Sequence, residues 1–505
     1  MMIDNQIIIT LVLLLPLFAA VLNLFFWSKK NMQRYTGNVF VVIHLLASIL
    51  LLHETIKHKM VVLNVGNWLH AYGIVLGVDL FSAGMILLSS FLAMLAWFYS
   101  ATWLGGKSIN SIFNTVFFTL LLGLTGSFMA ADLFNLYVWF EVMLVSSFVL
   151  LTLGGKKLQL EGAIKYVAIN VFASTIFLAG VGIIYGLTGT INMAMAGLVI
   201  ESIGNHTLVN VAGAFFLVAF GIKAAIFPLF FWLPASYHTA PIGYSSLLMA
   251  MMTKVGVYTL IRFFTLIIPA SNTPFKLIFM ILAGFTMVVG VLGAAAQTDF
   301  RRILSFHIVS QIGYMLMGLA IGTPLAIAGA MFFILHNVLV KTNLFFVAGL
   351  IGKNTGTYNL QQLGGIFARL PVLALLFAIS AFSLTGVPPL TGFWGKFILA
   401  KAGFLSSDWI IVTVSLVVSL FTLFSMTKIW NYVFWKPLPI GEKLPANNFA
   451  DLFSKNKSML VIIFLLSAVI LLVSFVPNPL IEFTERAARF VVERDEYIGF
   501  IINRK

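Results

Sequence analysis

Residues 371–405 read PVLALLFAISAFSLTGVPPLTGFWGKFILAKAGFL, and their reading decides the fold class. As one straight helix these 35 residues would reach roughly 52 Å at 1.5 Å per residue, far beyond a hydrocarbon core of ~30 Å. The stretch is therefore expected to cross a membrane and to be broken on the way. Thr385-Gly386-Val387-Pro388-Pro389 supplies the break. Each proline lacks the N–H that the carbonyl four residues back would use, which frees the carbonyls of Leu384 and Thr385. Non-helical backbone at that depth survives only where protein or water satisfies it.

Outward from this stretch the same apolar character continues. The chain is 61% hydrophobic and 9% charged with a mean hydropathy of +1.04, whereas soluble domains carry about a quarter charged residues. A water-soluble fold is excluded. On the criterion of ~20 mostly apolar residues per span, fourteen segments are expected. The first seven lie near 6–27, 38–53, 74–99, 109–130, 133–153, 164–187 and 209–235, and the second seven near 243–268, 275–296, 303–322, 325–350, 371–405, 409–433 and 458–476. Short alternating strands, the mark of a β-barrel, are not the pattern of these runs. The first run follows Met1-Met2-Ile3-Asp4 without a positive n-region and ends at Lys29-Lys30, so it is expected to be a retained helix rather than a signal peptide.

Segment 7 has a break of its own, because Pro228 frees the carbonyl of Ala224. Pro228-Leu229-Phe230-Phe231-Trp232 also echoes Pro389-Leu390-Thr391-Gly392-Phe393-Trp394. The two broken segments lie five apart, an odd number, so repeats of five helices would be inverted relative to each other, as in ion-coupled transporters. The expected architecture is an all-α, polytopic, single membrane domain over 1–505. Helices 1–3 occupy 1–104, a first repeat of helices 4–8 occupies 105–270, a second of helices 9–13 occupies 271–440, and helix 14 with a tail occupies 441–505.

The net charge of +14 does not point to nucleic acid, since the basic residues are scattered through short loops rather than gathered in one patch. Alternate loops differ in them. One side collects Lys29, Lys30, Arg34, Lys107, Lys156, Lys157, Lys165, Arg301, Arg302, Lys353, Arg369, Lys428, Lys436, Lys443, Lys455 and Lys457; the other holds Lys57, Lys59, Arg262, Lys276 and Lys401. The richer side is expected to be cytoplasmic, which puts both termini outside. The tail mixes its basic residues with Glu482, Glu485, Glu493, Asp495 and Glu496 and reads as an amphipathic surface segment. Cysteine is absent, so thiolate metal sites, Cys-ligated iron–sulfur clusters and disulfides are ruled out. No cofactor or metal is expected.

Of sixteen acidic residues, only Glu141 falls at the centre of a segment. Lys223, Lys254, Lys341 and Lys396 are also deep, with His336 mid-segment and His307 one turn into segment 10. A charge at the centre of a transmembrane helix costs about 2.5–3.5 kcal/mol on the insertion scale. Such residues mark ion and proton pathways by default. The structural alternative is that Glu141 staples one lysine across helices while Lys341 and Lys396 snorkel to the boundary and His307 hydrogen-bonds near it. One carboxylate cannot neutralise four buried ammoniums, and burial disfavours the charged form. Some of these lysines should therefore exchange protons. Two look-alikes fail: Gly105-Gly106-Lys107-Ser108 has Ala101 where a phosphate loop needs glycine, and His53-Glu54 with His58 misses the H-E-x-x-H spacing by one position. Both are read as loop residues.

At segments 7 and 8, Lys223, Pro228, Trp232-Leu233-Pro234, Ala240-Pro241 and Lys254-x-Gly256-x-Tyr258-x-Leu260-x-Arg262 resemble the signature of the antiporter-like proteins shared by Mrp antiporters and respiratory complex I. Phe140-Glu141, Arg301-Arg302-Ile303-Leu304 and Pro388-Pro389-Leu390-x-Gly392-Phe393-x-Gly395-Lys396 extend the likeness from about 105 to 405. Phe230 and Gln311 stand where the complex I pattern usually has histidine, and His336 precedes Lys341 by five residues rather than four. The runs from Ser305 to Tyr314 and from His336 to Leu344 are similar to the D-type family of Mrp Na+/H+ antiporter subunits. The resemblance implies a hetero-oligomeric complex in the cell membrane that exchanges cytoplasmic Na+ for external protons, with Glu141, Lys223, Lys254, His336 and Lys396 on a proton path; Lys341 and His307 are expected on the same path. Two other readings stay open: an M- or N-type subunit of an NADH:quinone oxidoreductase, or a scaffold for catalytic partners. Lys396 argues against the M type, where glutamate is expected.

Overall fold

A computed structural model describes residues 5–68, 70, 73–103, 111–203, 206–270, 273–439 and 449–502. Lys107, Lys443 and the look-alike at 105–108 lie outside them. The chain folds as α1 (Asn5–Phe25), α2 (Lys30–His58), β1 (Met60–Asn64), β2 (Val75–Asp79), α3 (Leu80–Trp103), α4 (Ser111–Met129), α5 (Leu133–Thr152), α6 (Lys157–Thr188) and α7 (Met193–Ser202). There follow α8 (His206–Ala224), α9 (Trp232–Ser236), α10 (Ile242–Leu266), α11 (Phe275–Ala296), α12 (Phe300–Ile321), α13 (Pro324–Thr355) and α14 (Ile366–Arg369). The last are α15 (Pro371–Thr385), α16 (Thr391–Leu405), α17 (Trp409–Ile429), α18 (Phe449–Phe475), α19 (Asn478–Val492) and α20 (Arg494–Ile502). Among the described residues 13 helices are long and apolar enough to cross a membrane, and the paired half-helices α15 and α16 make the fourteenth expected segment. The protein is a polytopic all-α membrane protein.

Burial sorts the helices into a centre and a rim. The apolar windows of α10, α12 and α13 are 100%, 94% and 89% buried, against 28–39% for α1, α2, α6, α11 and α17. The centre is thus the three helices that carry Lys254, His307, His336 and Lys341.

Both expected breaks are present. After α8 the chain turns at Ala225, a non-glycine residue at φ 60°, and α9 resumes at Trp232, whose indole Nε1 donates to the Ile222 carbonyl at 2.9 Å. After α15 it turns at Gly386, at φ +91°, and α16 resumes at Thr391. Left-handed backbone suits glycine and costs other residues about 1–2 kcal/mol. Two further glycines let neighbouring chain close on the breaks: a Cβ at Gly256 of α10 would lie 2.5 Å from the Ala224 nitrogen, and one at Gly392 would collide with the Ser383 carbonyl. Phe227–Pro228 and Pro388–Pro389 are cis peptides.

The structure also reveals a second internal repeat, in the loops. Thr188-Gly189-Thr190-Ile191-Asn192 and Thr355-Gly356-Thr357-Tyr358-Asn359 end the 32-residue helices α6 and α13. Gly189 and Gly356 are both left-handed caps. Asn192 bridges Asp132, and Asn359 bridges Asp299. Leu133 N donates to Ile191 O and Phe300 N to Tyr358 O, each at 2.9 Å. Asp132 caps α5 through Asn135 N at 2.7 Å, and Asp299 caps α12 through Arg302 N at 3.0 Å. An N-cap carboxylate satisfies amides that the helix start leaves without partners. Five crossings separate the two frames, so they sit on opposite faces of the membrane.

Other expectations need correction. Residues 74–79, assigned to segment 3, pair as β2 with β1 in an antiparallel hairpin from Met60↔Asp79 to Asn64↔Val75. The β-branched Val75 and Val78 favour strand, and Asp79 then caps α3 by accepting from Ser82 N at 2.9 Å. The look-alike at His53, Glu54 and His58 is helical, in the last turns of α2, where Glu54 pairs Lys57 and His58 at 3.2 and 3.5 Å. Arg262, counted with the loops, is buried in α10 and pairs with Asp79 at 2.7 Å. The tail is amphipathic as expected. It folds back over the bundle as α19 and α20, with Ala487, Ala488 and Val491 buried beneath.

Candidate functional site

Glu141, Lys223, Lys254, Lys341, His307, His336 and Lys396 form a row across the bundle, from α5 and α8 through α10, α12 and α13 to α16. At one end, α5 carries Glu141 and α8 carries Lys223. Lys223 Nζ donates to Ser174 Oγ of α6 at 3.3 Å and lies 5.5 Å from the Phe140 ring centroid. Glu141 and Lys223 are not within 4.0 Å, so they form no ion pair. The staple between them is absent. Glu141 is only partly buried, yet its Oε1 is enclosed and meets no hydrogen-bond partner.

Next in the row is Lys254, fully buried on α10, with an Nζ that meets no partner. Its helix rests on the α8 break through Gly256 and also packs on α12 and α13. Lys254 therefore stands between the two ends. On α13, Lys341 Nζ donates to the Leu304 carbonyl of α12 at 3.3 Å. Lys341 is fully buried and does not snorkel, because α13 is wrapped by α10, α12, α15, α16, α18 and α19.

The far end gathers around the second break. His336 Nδ1 lies 2.7 Å from Thr391 Oγ1, and Thr391 Oγ1 lies 2.6 Å from Ser383 Oγ. Lys396 Nζ donates to the Thr385 carbonyl at 2.9 Å and to Ser419 Oγ at 3.0 Å, with the Tyr314 ring 4.7 Å away. Tyr314 OH continues the chain to Ser419 Oγ at 2.9 Å. His307, expected near the boundary, is fully buried and hydrogen-bonds Ser425 of α17. Lys396 does not snorkel either.

Two buried amides beside this row escape a reading of the sequence. Gln311 and Asn337 are fully buried with neither amide atom partnered, and His307 Nδ1 and His336 Nε2 are likewise bare. Lys341 meets α12 at Leu304, and from that contact Asn337 and Gln311 both lie toward the α12–α13 turn, so the two amides are within about one helical turn of each other in height. Buried polar atoms without protein partners are generally met by ordered water. In the sequence Gln311 stands out only as a departure from a family pattern, although a mid-helix glutamine beside His307 is itself a polar signal. No three His, Asp or Glu side chains among the described residues converge to hold a metal.

Residues 130–422, which span α5 to α17, match the family model for NADH:quinone oxidoreductase/Mrp antiporter transmembrane subunits. The D-type Na(+)/H(+) antiporter subunit of Alkalihalophilus pseudofirmus is 41% identical over 495 residues, covering 98% of this chain and 99% of that one. The Bacillus subtilis protein of the same name is 38% identical over 85% of this chain and 87% of that one. The structure of the Mrp complex from Dietzia sp. contains a chain that superposes with a TM-score of 0.91 at 28% identity, covering 99% of this chain and 100% of that one. This chain belongs to the NADH:quinone oxidoreductase/Mrp antiporter transmembrane family, in its branch of D-type Na(+)/H(+) antiporter subunits.

Proposed function

We propose that this chain is the proton-conducting subunit of a multisubunit Na+/H+ antiporter of the cell membrane, exchanging cytoplasmic Na+ for external protons. The observation that carries this reading is the row Glu141, Lys223, Lys254, Lys341, His307 and His336, Lys396, which crosses the buried centre of the bundle at α10, α12 and α13, where buried polar atoms lack protein partners. Protons would pass between neighbouring members through water held by Gln311 and Asn337. Glu141 would load Lys223 by favouring its ammonium when near and releasing it when apart. Lys396 would hand the proton on where Pro388 and Pro389 open the backbone.

The excess of basic residues in alternate loops supports a topology with both termini outside, and the two helix breaks five segments apart support repeats at 105–270 and 271–440. The relatives are named as subunits, and the described residues form no domain beyond the helices and one hairpin with which to work alone. The chain is a transporter subunit and performs no redox chemistry itself. Reconstituted with its partner subunits, it should dissipate a pH gradient when Na+ is added; reconstituted alone, it should not. Robust exchange by the lone purified chain would overturn the subunit reading.

A further inference from the structure

The outer tail helix covers a cavity unconnected with the row of titratable groups. The cavity, of about 600 Å³, lies between α19, the last turn of α2 and the first residue of α3. Ile56, Leu80 and Phe483 make its apolar wall. Its rim is charged with both signs: Lys59, Arg486 and Arg489 against Glu482, Glu493 and Glu496. Lys59 pairs with Glu496. Glu482 and Arg486 stand at i,i+4 spacing, as do Arg489 and Glu493, an arrangement that allows pairing along a helix. Neither pair forms an ion pair here.

A groove descends from this cavity. Between Leu80 and Ser100 every side chain of α3 is buried except Leu80, Leu87, Phe91, Met94 and Phe98, with Gly84 in register. Those positions recur at intervals of three and four, which is one face of a helix. The helices around α3 are α2, α4, α10, α13 and α18, each in contact with the next in that order. Among the described residues the gap in this ring lies between α18 and α2, so the partly exposed stripe is the floor of a groove between them. Its flank on α2 is apolar and exposed: Leu46, Leu50 and Ile56 are 50–55% exposed. The groove is apolar along its length, Phe483 of α19 packs beside it against Gly84, and it ends under a rim of mixed charge.

We propose that this groove and cavity form a site for one phospholipid with a zwitterionic headgroup bearing a primary ammonium, of the phosphatidylethanolamine class. The acyl chain lies along the α3 stripe. The phosphate takes charge-assisted hydrogen bonds from Arg486 and Arg489, and the ammonium donates to Glu482 and Glu493. A purely anionic headgroup would meet the two free carboxylates, and a choline has no N–H to offer them. The site fastens the tail: α19 roofs the cavity, and α20 places Tyr497 5.0 Å from the Arg262 guanidinium.

The test is native mass spectrometry of the detergent-purified complex, with lipid added as phosphatidylethanolamine, phosphatidylglycerol or phosphatidylcholine. The wild type should retain phosphatidylethanolamine on this chain about tenfold more strongly than the other two, the discrimination of one charge-assisted contact. The double variant Arg486→Ala with Arg489→Ala should lose that preference, and Leu87→Trp should lower retention of all three lipids. Both should still assemble on native gels. If a variant fails to assemble, Glu482→Gln in the intact complex decides: it should equalise phosphatidylethanolamine and phosphatidylcholine. Equal retention of the three lipids by the wild type would overturn the proposal. So would cross-linking of Leu87→Cys to a partner protein, which would show that a protein fills the groove.

Discussion

Lys396 Nζ donates to the carbonyl of Thr385 at 2.9 Å, and that carbonyl is the one Pro389 leaves without its helical partner. The residue proposed to move a proton therefore also satisfies the broken backbone beside it. Replacing it separates the two roles. Lys396→Ala strands a buried acceptor, at a cost of about 1–3 kcal/mol, and should lower both the melting temperature of the complex and its exchange rate. Lys396→Arg keeps a donor that does not release its proton at physiological pH. It should restore stability without restoring exchange. Full exchange with arginine, measured in vesicles, would remove Lys396 from the proton path.

Glu141 and Lys223 are near each other without touching, which suits a pair that joins and parts better than a fixed staple. Glu141→Gln or Lys223→Ala should reduce Na+/H+ exchange about a hundredfold or more, the scale of a lost proton-transfer group. Assembly on native gels should be unchanged. Loss of assembly with normal transport per surviving complex would restore the staple.

Asp132 carries a pH dependence at the membrane boundary. Burial pushes its carboxyl up to about 6, against the opposing hydrogen bonds from the backbone at Asn135, Val75 and Phe134. The folded state thus holds this proton more tightly than the unfolded chain does. Its contribution to stability is greatest below the unfolded value near 4 and falls as pH rises to about 6, by roughly 3 kcal/mol in all. Asp132→Asn keeps an N-cap and removes the titration. The variant should melt higher than wild type at pH 7.5 and lose that advantage at pH 4.5. An advantage independent of pH would count against this account.

The breaks are readable in the sequence because they are covalent facts: a run too long for the bilayer and prolines that cannot donate. The lysines are readable because a charge inside an apolar run has no cheap explanation. Lys341 is easily misjudged because snorkelling depends on what surrounds a helix, and nothing local says that α13 is enclosed on nearly every side. Arg262 is misplaced for the opposite reason, since its partner Asp79 lies at a strand end, 183 positions earlier in the numbering. The Thr-Gly-Thr-x-Asn repeat is written in the sequence, but each copy is short and its partner, Asp132 or Asp299, lies sixty residues earlier. The lipid groove cannot be read at all, because it exists only once α2 and α18 flank α3.

Orientation can be tested directly, since the chain has no cysteine. Single cysteines at Ser28 or Lys156 should be shielded from an impermeant thiol reagent in intact cells, and one at Lys57 should be labelled. Burial does not confound the comparison, because all three positions are exposed. The reverse pattern would invert the topology and move the tail and its lipid site to the cytoplasmic face.

The family includes subunits of quinone-linked complexes, so the energy source must be separated from the proton path. Every member of the row from Glu141 to Lys396 can bind and release a proton, and none is a redox group. A pump driven by partner subunits would need electrons from NADH, whereas an antiporter needs only an ion gradient. Inside-out vesicles carrying the complex should therefore show a Na+-induced rise in internal pH after any pump has acidified them. ATP hydrolysis by an unrelated enzyme should serve as well as NADH oxidation, and Lys396→Arg should blunt the response equally in both cases. The size of the response should follow the pH gradient present when Na+ is added, whichever pump made it. A response that required NADH, and that a quinone-site inhibitor abolished while ATP still held the gradient, would place this chain in a redox-driven pump instead.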